Sequence, residues 1–200
     1  LEVMKYADYM NLMTYDFVGG NQAYTFHHTN LGQVGLNELE GTDYLRYIND
    51  SIINKNQAGW QPRSIESIVD FCLDLGVESE QLIIGAAFYG KAWKVETIAN
   101  NGLYQPTRGS QRGWPSYAAI RDSMENENGY TVYRDQQAKA PYIFNSADSL
   151  FITFDDTLSV KLKSGYVIDN KLGGIMFWEQ SQDTKDGRGL LDAIFEEMTK

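Results

Sequence analysis

The fold is decided by residues 9–16, Tyr9-Met10-Asn11-Leu12-Met13-Thr14-Tyr15-Asp16. This short apolar run lacks polar alternation, which is typical of a buried strand in a parallel sheet covered by helices. We predict a strand over residues 8–15. Parallel sheets place ligand sites where their strands end, so Tyr15 and Asp16 are candidate functional residues. The alternative is that Asp16 caps a turn into Gly19-Gly20 and Tyr15 fills a packing gap.

Two further segments follow the same pattern. Residues 82–88 form a second apolar run, which is followed by Tyr89-Gly90-Lys91. Residues 174–178 form a third, which ends in Trp178 and is followed by Glu179. Because the carboxyl ends of parallel strands meet at one edge of a sheet, these polar residues are expected to join the candidate site.

Helices are predicted between these strands. Residues 65–73 carry apolar side chains at helical spacing, with Ser64 as a possible cap and Gly76 as a left-handed stop. This strand-helix-strand unit predicts a parallel sheet with helices outside it. Further helices are predicted at residues 42–54, 157–171 and 190–198, with Asp155 and Asp156 as caps of the second, and a turn at residues 59–62.

Two regions depart from this alternation. Residues 130–133, 141–144 and 150–154 are short β-prone segments separated by Asn, Gly and Asp, which predicts a small α+β insertion. Residues 17–41 are rich in glycine and asparagine and too long for an ordinary connection. We expect this loop to overhang the strand end.

Composition and charge exclude several classes of partner. A formal net charge of −10 would repel nucleic acid and anionic membranes, so neither is expected and a neutral substrate is favoured. No apolar run approaches the roughly 18 residues of a membrane span, and the first residues lack a signal-peptide pattern. The single Cys72 is predicted to be a core residue. His27 and His28 without clustered cysteines give no metal-ligand spacing, so no metal and no cofactor are predicted.

The three predicted strand ends bring two phenols, an indole, an ammonium and two carboxylates to one opening. Aromatic faces stack on the C–H faces of sugar rings, while phenols and carboxylates bind hydroxyls and amides. This pattern favours a carbohydrate pocket. The alternative is a set of core aromatics whose polar tips reach water. The candidate residues are Tyr15, Asp16, Tyr89, Lys91, Trp178 and Glu179.

Motifs at all three strand ends resemble the last three strands of glycoside hydrolase family 18, the chitinases and their relatives. The motifs are Met13-Thr14-Tyr15-Asp16, Phe88-Tyr89-Gly90-Lys91-Ala92-Trp93 and Gly173-Gly174-Ile175-Met176-Phe177-Trp178-Glu179. Two more segments resemble the α+β domain that bacterial and animal chitinases of this family carry after their seventh strand. These are Ala138-Lys139-Ala140-Pro141-Tyr142 and Phe151-Ile152-Thr153-Phe154-Asp155-Asp156. The resemblance covers nearly all of the chain.

The resemblance implies an α/β fold, the C-terminal portion of a (β/α)8 TIM barrel with its last three strands and an inserted small α+β domain. Residues 1–93 and 156–200 would form the barrel portion and residues 94–155 the insertion. The implied activity of the full protein is hydrolysis of chitin by substrate-assisted retention, in which the sugar's acetamido oxygen is the nucleophile. The implied partners are chitin or N-acetylglucosamine oligosaccharides, and the implied location is extracellular.

The resemblance also implies roles for single residues. Tyr15 matches the tyrosine that orients the acetamido oxygen, and Asp16 matches a carboxylate that contacts the same sugar near the catalytic acid. Met13 would line the pocket beneath the acetamido group. Tyr89 and Trp178 match sugar-contacting aromatics, with the indole as the floor under the ring.

Two departures from the family pattern bear on catalysis. Position 91 is commonly arginine, and Lys91 cannot make the same forked contact with substrate. The family's acid lies in an Asp-x-x-Asp-x-Asp-x-Glu motif on the fourth strand, and no such motif occurs in these 200 residues. We expect the catalytic glutamate to lie before Leu1 and the chain alone to be inactive. Glu179 is assigned a structural or sugar-contacting role.

Other functions stay open at this level. One is a chitinase-like lectin whose fourth-strand glutamate has been replaced, and another is a peptidoglycan or spore-coat glycosidase of the same fold. Tyr15, Asp16 and Trp178 favour hydrolysis, since a lectin needs the aromatics but has less need of the pair that orients the acetamido oxygen. The isolated chain is expected to self-associate near residues 10–12 and 175–177, because three strands of a barrel leave two sheet edges unpaired.

Overall fold

The computed structural model describes residues 2–55, 62–109 and 111–200. The helices are α1 (Asp43–Lys55), α2 (Ile65–Asp74), α3 (Tyr117–Ser123), α4 (Thr157–Asp169) and α5 (Leu190–Met198). The strands are β1 (Met10–Asn11), β2 (Leu82–Ala87), β3 (Lys91–Lys94), β4 (Tyr130–Asp135), β5 (Ala140–Asn145), β6 (Leu150–Thr153) and β7 (Gly174–Trp178). Most of the predicted turn at residues 59–62 lies outside the described residues.

A three-stranded parallel sheet carries the candidate site, with strand order β1-β2-β7. Met10 pairs with Leu82, and Ile84 pairs with Ile175. The central strand β2 is almost entirely buried, as predicted. The prediction that the flanking strands are also buried is wrong, since β1 and β7 are partly exposed. Each of them pairs only with β2 among the described residues, so one side of each lacks a covering neighbour.

β1 is shorter than the strand predicted over residues 8–15. After Asn11, the backbone N–H of Leu12 still donates to the carbonyl of Ile83 at 2.8 Å. The Thr14 hydroxyl then makes the remaining links, accepting from the N–H of Gly85 at 2.7 Å and donating to its carbonyl at 3.0 Å. A side chain therefore replaces the backbone ladder where the predicted strand would continue.

Helix α2 begins and ends close to the predicted positions. The Ser64 hydroxyl accepts a hydrogen bond from the backbone N–H of Ser67, and the Ser67 hydroxyl accepts one from the backbone N–H of Ser64. Gly76 follows the helix with a φ of +83°, where glycine is favoured. Ile65, Val69 and the predicted core residue Cys72 are buried in one cluster with Leu82 and Ile84 of β2. This packing fixes the helix against the parallel sheet.

A four-stranded antiparallel sheet of order β3-β6-β5-β4 follows β2 in the chain. Its strands include the three β-prone segments predicted at residues 130–154. The sheet begins at Lys91, three residues before the boundary predicted at residue 94. β5 is buried along its whole length. Phe88, Ile152 and Phe154 share a core cluster with Val160 of α4 and Leu190 of α5, which joins the two sheets.

Helices α4 and α5 pack against each other on the chain's C-terminal side. Asp156 caps α4 by accepting from the backbone N–H of Ser159, which confirms one of the two predicted caps. The other predicted cap, Asp155, is fully buried and takes a different role described below. None of the helices in the described ranges is long and apolar enough to cross a membrane.

The long loop of residues 17–41 does not simply overhang the strand end. Residues 25–31 are all buried, and within this stretch the backbone N–H of His28 donates to the Thr153 hydroxyl of β6 at 3.3 Å. Their polar groups are bonded internally: the Thr25 hydroxyl donates to the carbonyl of Gly102 at 2.6 Å, and the Asn30 amide donates to that of Gly32 at 2.9 Å. These hydrogen bonds offset the free-energy cost of removing the polar groups from water. The overhanging conformation predicted for residues 25–31 is therefore wrong.

Candidate functional site

The site begins where Thr14 ties the segment after β1 to β2. The two hydrogen bonds between Thr14 and Gly85 fix the backbone just before Tyr15 and Asp16. Gly85 also leaves room for the Tyr15 ring, because a Cβ at position 85 would lie 2.8 Å from Cε1 of that ring. Asp16 has a φ of +62°, in the left-handed region that aspartate tolerates better than most residues. The chain thus turns sharply at the carboxylate.

Asp16 is the centre of a polar cluster formed by three segments. Its Oδ1 accepts a hydrogen bond from the hydroxyl of Tyr89 at 2.7 Å and lies 2.8 Å from the Nζ of Lys91. Lys91 is buried and also donates to the carbonyl of Val18 at 3.0 Å. The Asp16 side chain is 50% exposed. The carboxylate is therefore anchored from the protein side and accessible from the other.

The contacts around Asp16 keep its carboxylate ionised. Partial burial acts to raise the pKa of Asp16, but interactions with His28, Lys91 and Tyr89 outweigh it and hold the pKa well below its usual range. Nδ1 of His28 is 3.8 Å from the carboxylate, beyond hydrogen-bond distance, so the direct contacts come from Lys91 and Tyr89. Burial lowers the pKa of His28, so its ring is neutral at pH 7.

Two phenols flank the carboxylate. The rings of Tyr15 and Tyr89 meet edge to face with centroids 6.3 Å apart. Burial raises the pKa of Tyr15, and the nearby charge of Asp16 raises it further. Burial and the hydrogen bond to Asp16 likewise raise the pKa of Tyr89. Both hydroxyls stay protonated at neutral pH and act as hydrogen-bond donors.

The remaining predicted site residues lie at the other strand end and at the rim. Trp178 ends β7, paired with Ala87 of β2, and its carbonyl accepts from the N–H of Phe88 at 2.8 Å. Its side chain is 56% exposed. Met13 is 72% exposed, one residue before Thr14. The Glu179 carboxylate accepts a hydrogen bond from the Ser181 hydroxyl at 2.8 Å. The closest cluster is therefore that of Tyr15, Asp16, Tyr89 and Lys91.

Sequence reasoning missed two groups beside the site. His28 packs against the Tyr89 ring at 5.3 Å between centroids, but its doublet with His27 was considered only for metal binding. The second group is a buried ion pair between Asp155 and Lys163, 2.5 Å apart. Lys163 also donates to the Thr29 hydroxyl, which donates to the carbonyl of Thr14. The eight-residue spacing along the chain carries no signal for this link, because Asp155 precedes the helix that bears Lys163.

The fold and this cluster define an α/β protein whose strand ends hold an ionised carboxylate and two hydrogen-bonding phenols. The sequence model described as "Glycosyl hydrolases family 18" matches residues 1–183. The chain belongs to this family, which confirms the resemblance seen in its motifs.

Individual relatives agree with this assignment. "Chitinase A1" of Niallia circulans is 35% identical over 182 residues, which are 88% of this chain and 24% of that protein. "Chitinase B" of Serratia marcescens is 26% identical over 215 residues, 90% of this chain and 41% of that protein. A family 18 N-acetylglucosaminidase from Paenibacillus barengoltzii has a solved structure that matches with a TM-score of 0.80 and 36% identity, over 98% of this chain and 50% of that chain. The chain thus spans half or less of these relatives, and the structural likeness implies a TIM-barrel-type fold.

Proposed function

We propose that the chain is the C-terminal portion of the catalytic (β/α)8 barrel of a secreted chitinase, which hydrolyses β-1,4-linked N-acetylglucosamine polymers. Residues 1–93 and 156–200 contribute the last three barrel strands, and residues 94–155 form the α+β insertion. One observation carries the proposal: the Asp16 carboxylate is anchored by Lys91 and Tyr89 and stays ionised beside the protonated phenol of Tyr15. The relatives named as chitinases support the same substrate class.

The reaction is substrate-assisted and retaining. The acetamido oxygen of the bound sugar attacks the anomeric carbon as the glycosidic bond breaks, and a glutamic acid protonates the leaving oxygen. Water then opens the cyclic intermediate, so the anomeric configuration is kept. Tyr15 donates a hydrogen bond that holds the acetamido oxygen in line for attack. Asp16 stabilises the positive charge that develops on the sugar.

The proton donor is the glutamate of the fourth-strand motif, which these 200 residues do not contain. The negative charge of Asp16 would raise the pKa of a carboxyl group placed beside it, which helps to keep the acid protonated. Glu179 does not replace this acid and keeps the structural or sugar-contacting role assigned from the sequence. Its hydrogen bond with Ser181 supports this assignment.

The other residues of the site bind and position the sugar. Trp178 forms the floor under the reacting ring, and Met13 lines the acetamido pocket; the exposure of both side chains supports direct contact with substrate. The sequence assigns Tyr89 and Lys91 to substrate binding; both are buried and contact Asp16 directly, which supports a positioning role in which they fix this carboxylate.

The proposal is tested with the full-length protein that carries these 200 residues. It is expected to release N-acetylglucosamine dimers or monomers from chitin oligosaccharides, whereas the isolated chain is expected to release none, because it lacks the acid. Binding of oligosaccharides without any turnover by the full-length protein would instead identify a lectin. Turnover of peptidoglycan but not of chitin would identify a cell-wall or spore-coat glycosidase.

We also propose that the isolated chain self-associates. β1 and β7 are the outer strands of the three-stranded sheet, and both are partly exposed. Backbone N–H and C=O groups on such strands favour pairing with another copy. Sedimentation of the isolated chain is expected to show a dimer or larger species, and a stable monomer at all concentrations would contradict this expectation.

A further inference from the structure

His28 and Thr29 are adjacent, buried residues that contact the chain on both sides of the Tyr15-Asp16 pair. The Thr29 hydroxyl donates a hydrogen bond to the carbonyl of Thr14 at 3.1 Å, immediately before the pair. The carbonyl of His28 accepts one from the backbone N–H of Phe17 at 3.1 Å, immediately after it. Two neighbouring residues of the buried loop therefore bracket the two side chains proposed to act in catalysis.

The bracketed turn needs such support because of its backbone conformation. The φ of +62° at Asp16 lies in the left-handed region, which is unfavourable for a residue with a Cβ and persists where surrounding contacts fix it. Strand β1 ends at Asn11, so its ladder does not reach the turn. The direction of the carboxylate depends on this backbone, since its Oδ1 meets both the Tyr89 hydroxyl and the Nζ of Lys91. A shift of the turn would separate the carboxylate from these two donors.

The Thr29 hydroxyl is itself fixed by a charged group. The buried ammonium of Lys163 donates to its oxygen at 2.8 Å, which leaves the hydroxyl hydrogen for another acceptor. The Thr14 carbonyl at 3.1 Å is a nearer acceptor than Oδ2 of Asp155 at 3.3 Å. Asp155 in turn accepts from the N–H of Ala87 in β2 at 3.0 Å. The hydrogen bond to Thr14 is thus connected, through an ion pair, to the central strand of the parallel sheet.

We infer that Thr29 is a positioning residue for the proposed reaction, whose hydroxyl holds the carbonyl of Thr14 and thereby fixes Tyr15 and Asp16 in their reactive orientation. This inference rests on the proposed function and deepens it, because it assigns part of the catalytic rate to a buried side chain behind the site. Displacing groups that act in the transition state lowers kcat more than it weakens substrate binding. Removal of the Thr29 hydroxyl should therefore change kcat rather than KM.

The test removes the Thr29 hydroxyl from the full-length protein and follows steady-state kinetics on N-acetylglucosamine tetramer. Thr29→Val keeps the shape of the side chain, and we expect kcat to fall about 10-fold with KM nearly unchanged. Thr29→Ser keeps the hydroxyl and should retain most of the activity. Thr25→Val is the matched control, because Thr25 lies in the same buried loop and its hydroxyl donates to the carbonyl of Gly102 at 2.6 Å. It should leave both kinetic constants nearly unchanged.

A second comparison serves if the valine variant does not fold. Thr29→Ala and Thr29→Ser differ only in the hydroxyl, so the same difference in kcat is expected between them. Crystal structures of this pair measure the positioning without reference to activity. We expect the distance between Oδ1 of Asp16 and Nζ of Lys91, which is 2.8 Å in the unchanged chain, to increase in the alanine variant and to be kept in the serine variant.

The outcomes separate this inference from the proposed function. Unchanged kcat in Thr29→Val, an equal loss in Thr25→Val, or a serine variant as slow as the valine variant would each overturn the positioning role. A loss that appears in KM alone would also overturn it, as would an undisturbed contact between Asp16 and Lys91 in the alanine variant. Absence of turnover by the unchanged protein would instead overturn the proposed function, and the two crystal structures would still decide whether Thr29 positions Asp16.

Discussion

Two aspartate–lysine pairs lie at the same end of the parallel sheet, and they differ in what surrounds the carboxylate. The Asp155–Lys163 pair is fully buried. Asp155 also accepts hydrogen bonds from the N–H of Ala87 at 3.0 Å and from the hydroxyl of Ser159 at 2.7 Å. The Asp16–Lys91 pair has a buried lysine but a half-exposed carboxylate. The carboxylate of the first pair is surrounded by hydrogen-bond donors of the protein, while half of the second carboxylate is open to a ligand.

The comparison teaches that burial and charge alone do not mark a functional carboxylate. Asp155 joins β2, α4 and, through Lys163 and Thr29, the segment that carries Thr14. Its contribution to the site is to hold these segments in place. Asp16 has the opposite environment, with a left-handed backbone and contacts on one side only. Its exposed half distinguishes Asp16 as the candidate for direct contact with a ligand.

The largest effect is expected from breaking the buried pair. Lys163→Met leaves the Asp155 carboxylate buried without its counter-ion, which should lower the free energy of unfolding by about 3–5 kcal/mol. Urea unfolding of the full-length protein measures this change. Lys161→Met is the matched control, because Lys161 lies on the same helix as Lys163 and pairs at the surface with Glu196 of α5. Its unfolding midpoint should barely move, and an equal loss in both variants would show that the pair has no special role.

The second-largest effect is expected from the tyrosine beside the Asp16–Lys91 pair. Tyr15→Phe removes only a hydroxyl, and we expect kcat to fall about 100-fold, as when a donor that acts in the transition state is lost. KM should change little. Steady-state kinetics on N-acetylglucosamine oligomers provides the measurement, with Tyr47→Phe on α1 as the control. A raised KM at constant kcat would show that the hydroxyl binds substrate rather than orienting it.

A smaller effect is expected at the neighbouring strand end. Trp178→Ala removes the proposed floor of the pocket, so binding of oligosaccharides should weaken about 10-fold while kcat falls less. Unfolding should change little, because the indole is already more than half exposed. Equilibrium binding and kinetics on the same preparation separate the two quantities. Unaltered affinity for every oligomer would remove Trp178 from the site.

The smallest effect should come from the lysine of the exposed pair. Lys91→Met removes a contact that lowers the pKa of Asp16, so this pKa should rise toward its usual value near 4. A folded-state pKa below the unfolded value stabilises the protein at pH values above the unfolded pKa, and this stabilisation is lost as the pH falls through the folded pKa. Because Asp16 would become protonated at higher pH in the variant, the acid limb of the pH profile of kcat/KM should also move to higher pH. An unmoved acid limb would assign that limb to another group.

Part of this architecture is readable from local sequence. The caps Ser64 and Gly76, the helical stripe between them and the apolar run of β2 all act through neighbours in the chain, so their prediction succeeds. The length of β1 was mispredicted because the Thr14 hydroxyl, a partner 71 residues from Gly85, replaces the ladder there. Family motifs predicted one candidate site for Tyr15, Asp16, Tyr89 and Lys91, and the structure brings these side chains together.

The buried contacts behind the site could not be predicted from the local sequence. Burial of residues 25–31, the approach of His28 to Tyr89 and the Asp155–Lys163 pair all depend on how two sheets pack together. No periodicity in the chain encodes that packing. The predicted overhang of the loop failed for this reason, since composition reports polarity but not the internal partners that allow polar groups to be buried.

The missing side chain at Gly85 has a consequence for how the proposed site could change its shape. A single methyl group at this position would meet the edge of the Tyr15 ring at 2.8 Å and the carbonyl of Leu12 at 3.1 Å. Position 85 therefore limits where the Tyr15 ring can lie, although it contributes no side chain of its own. A larger residue there would have to displace this ring, so a search for altered specificity at the proposed site should include the interior of β2.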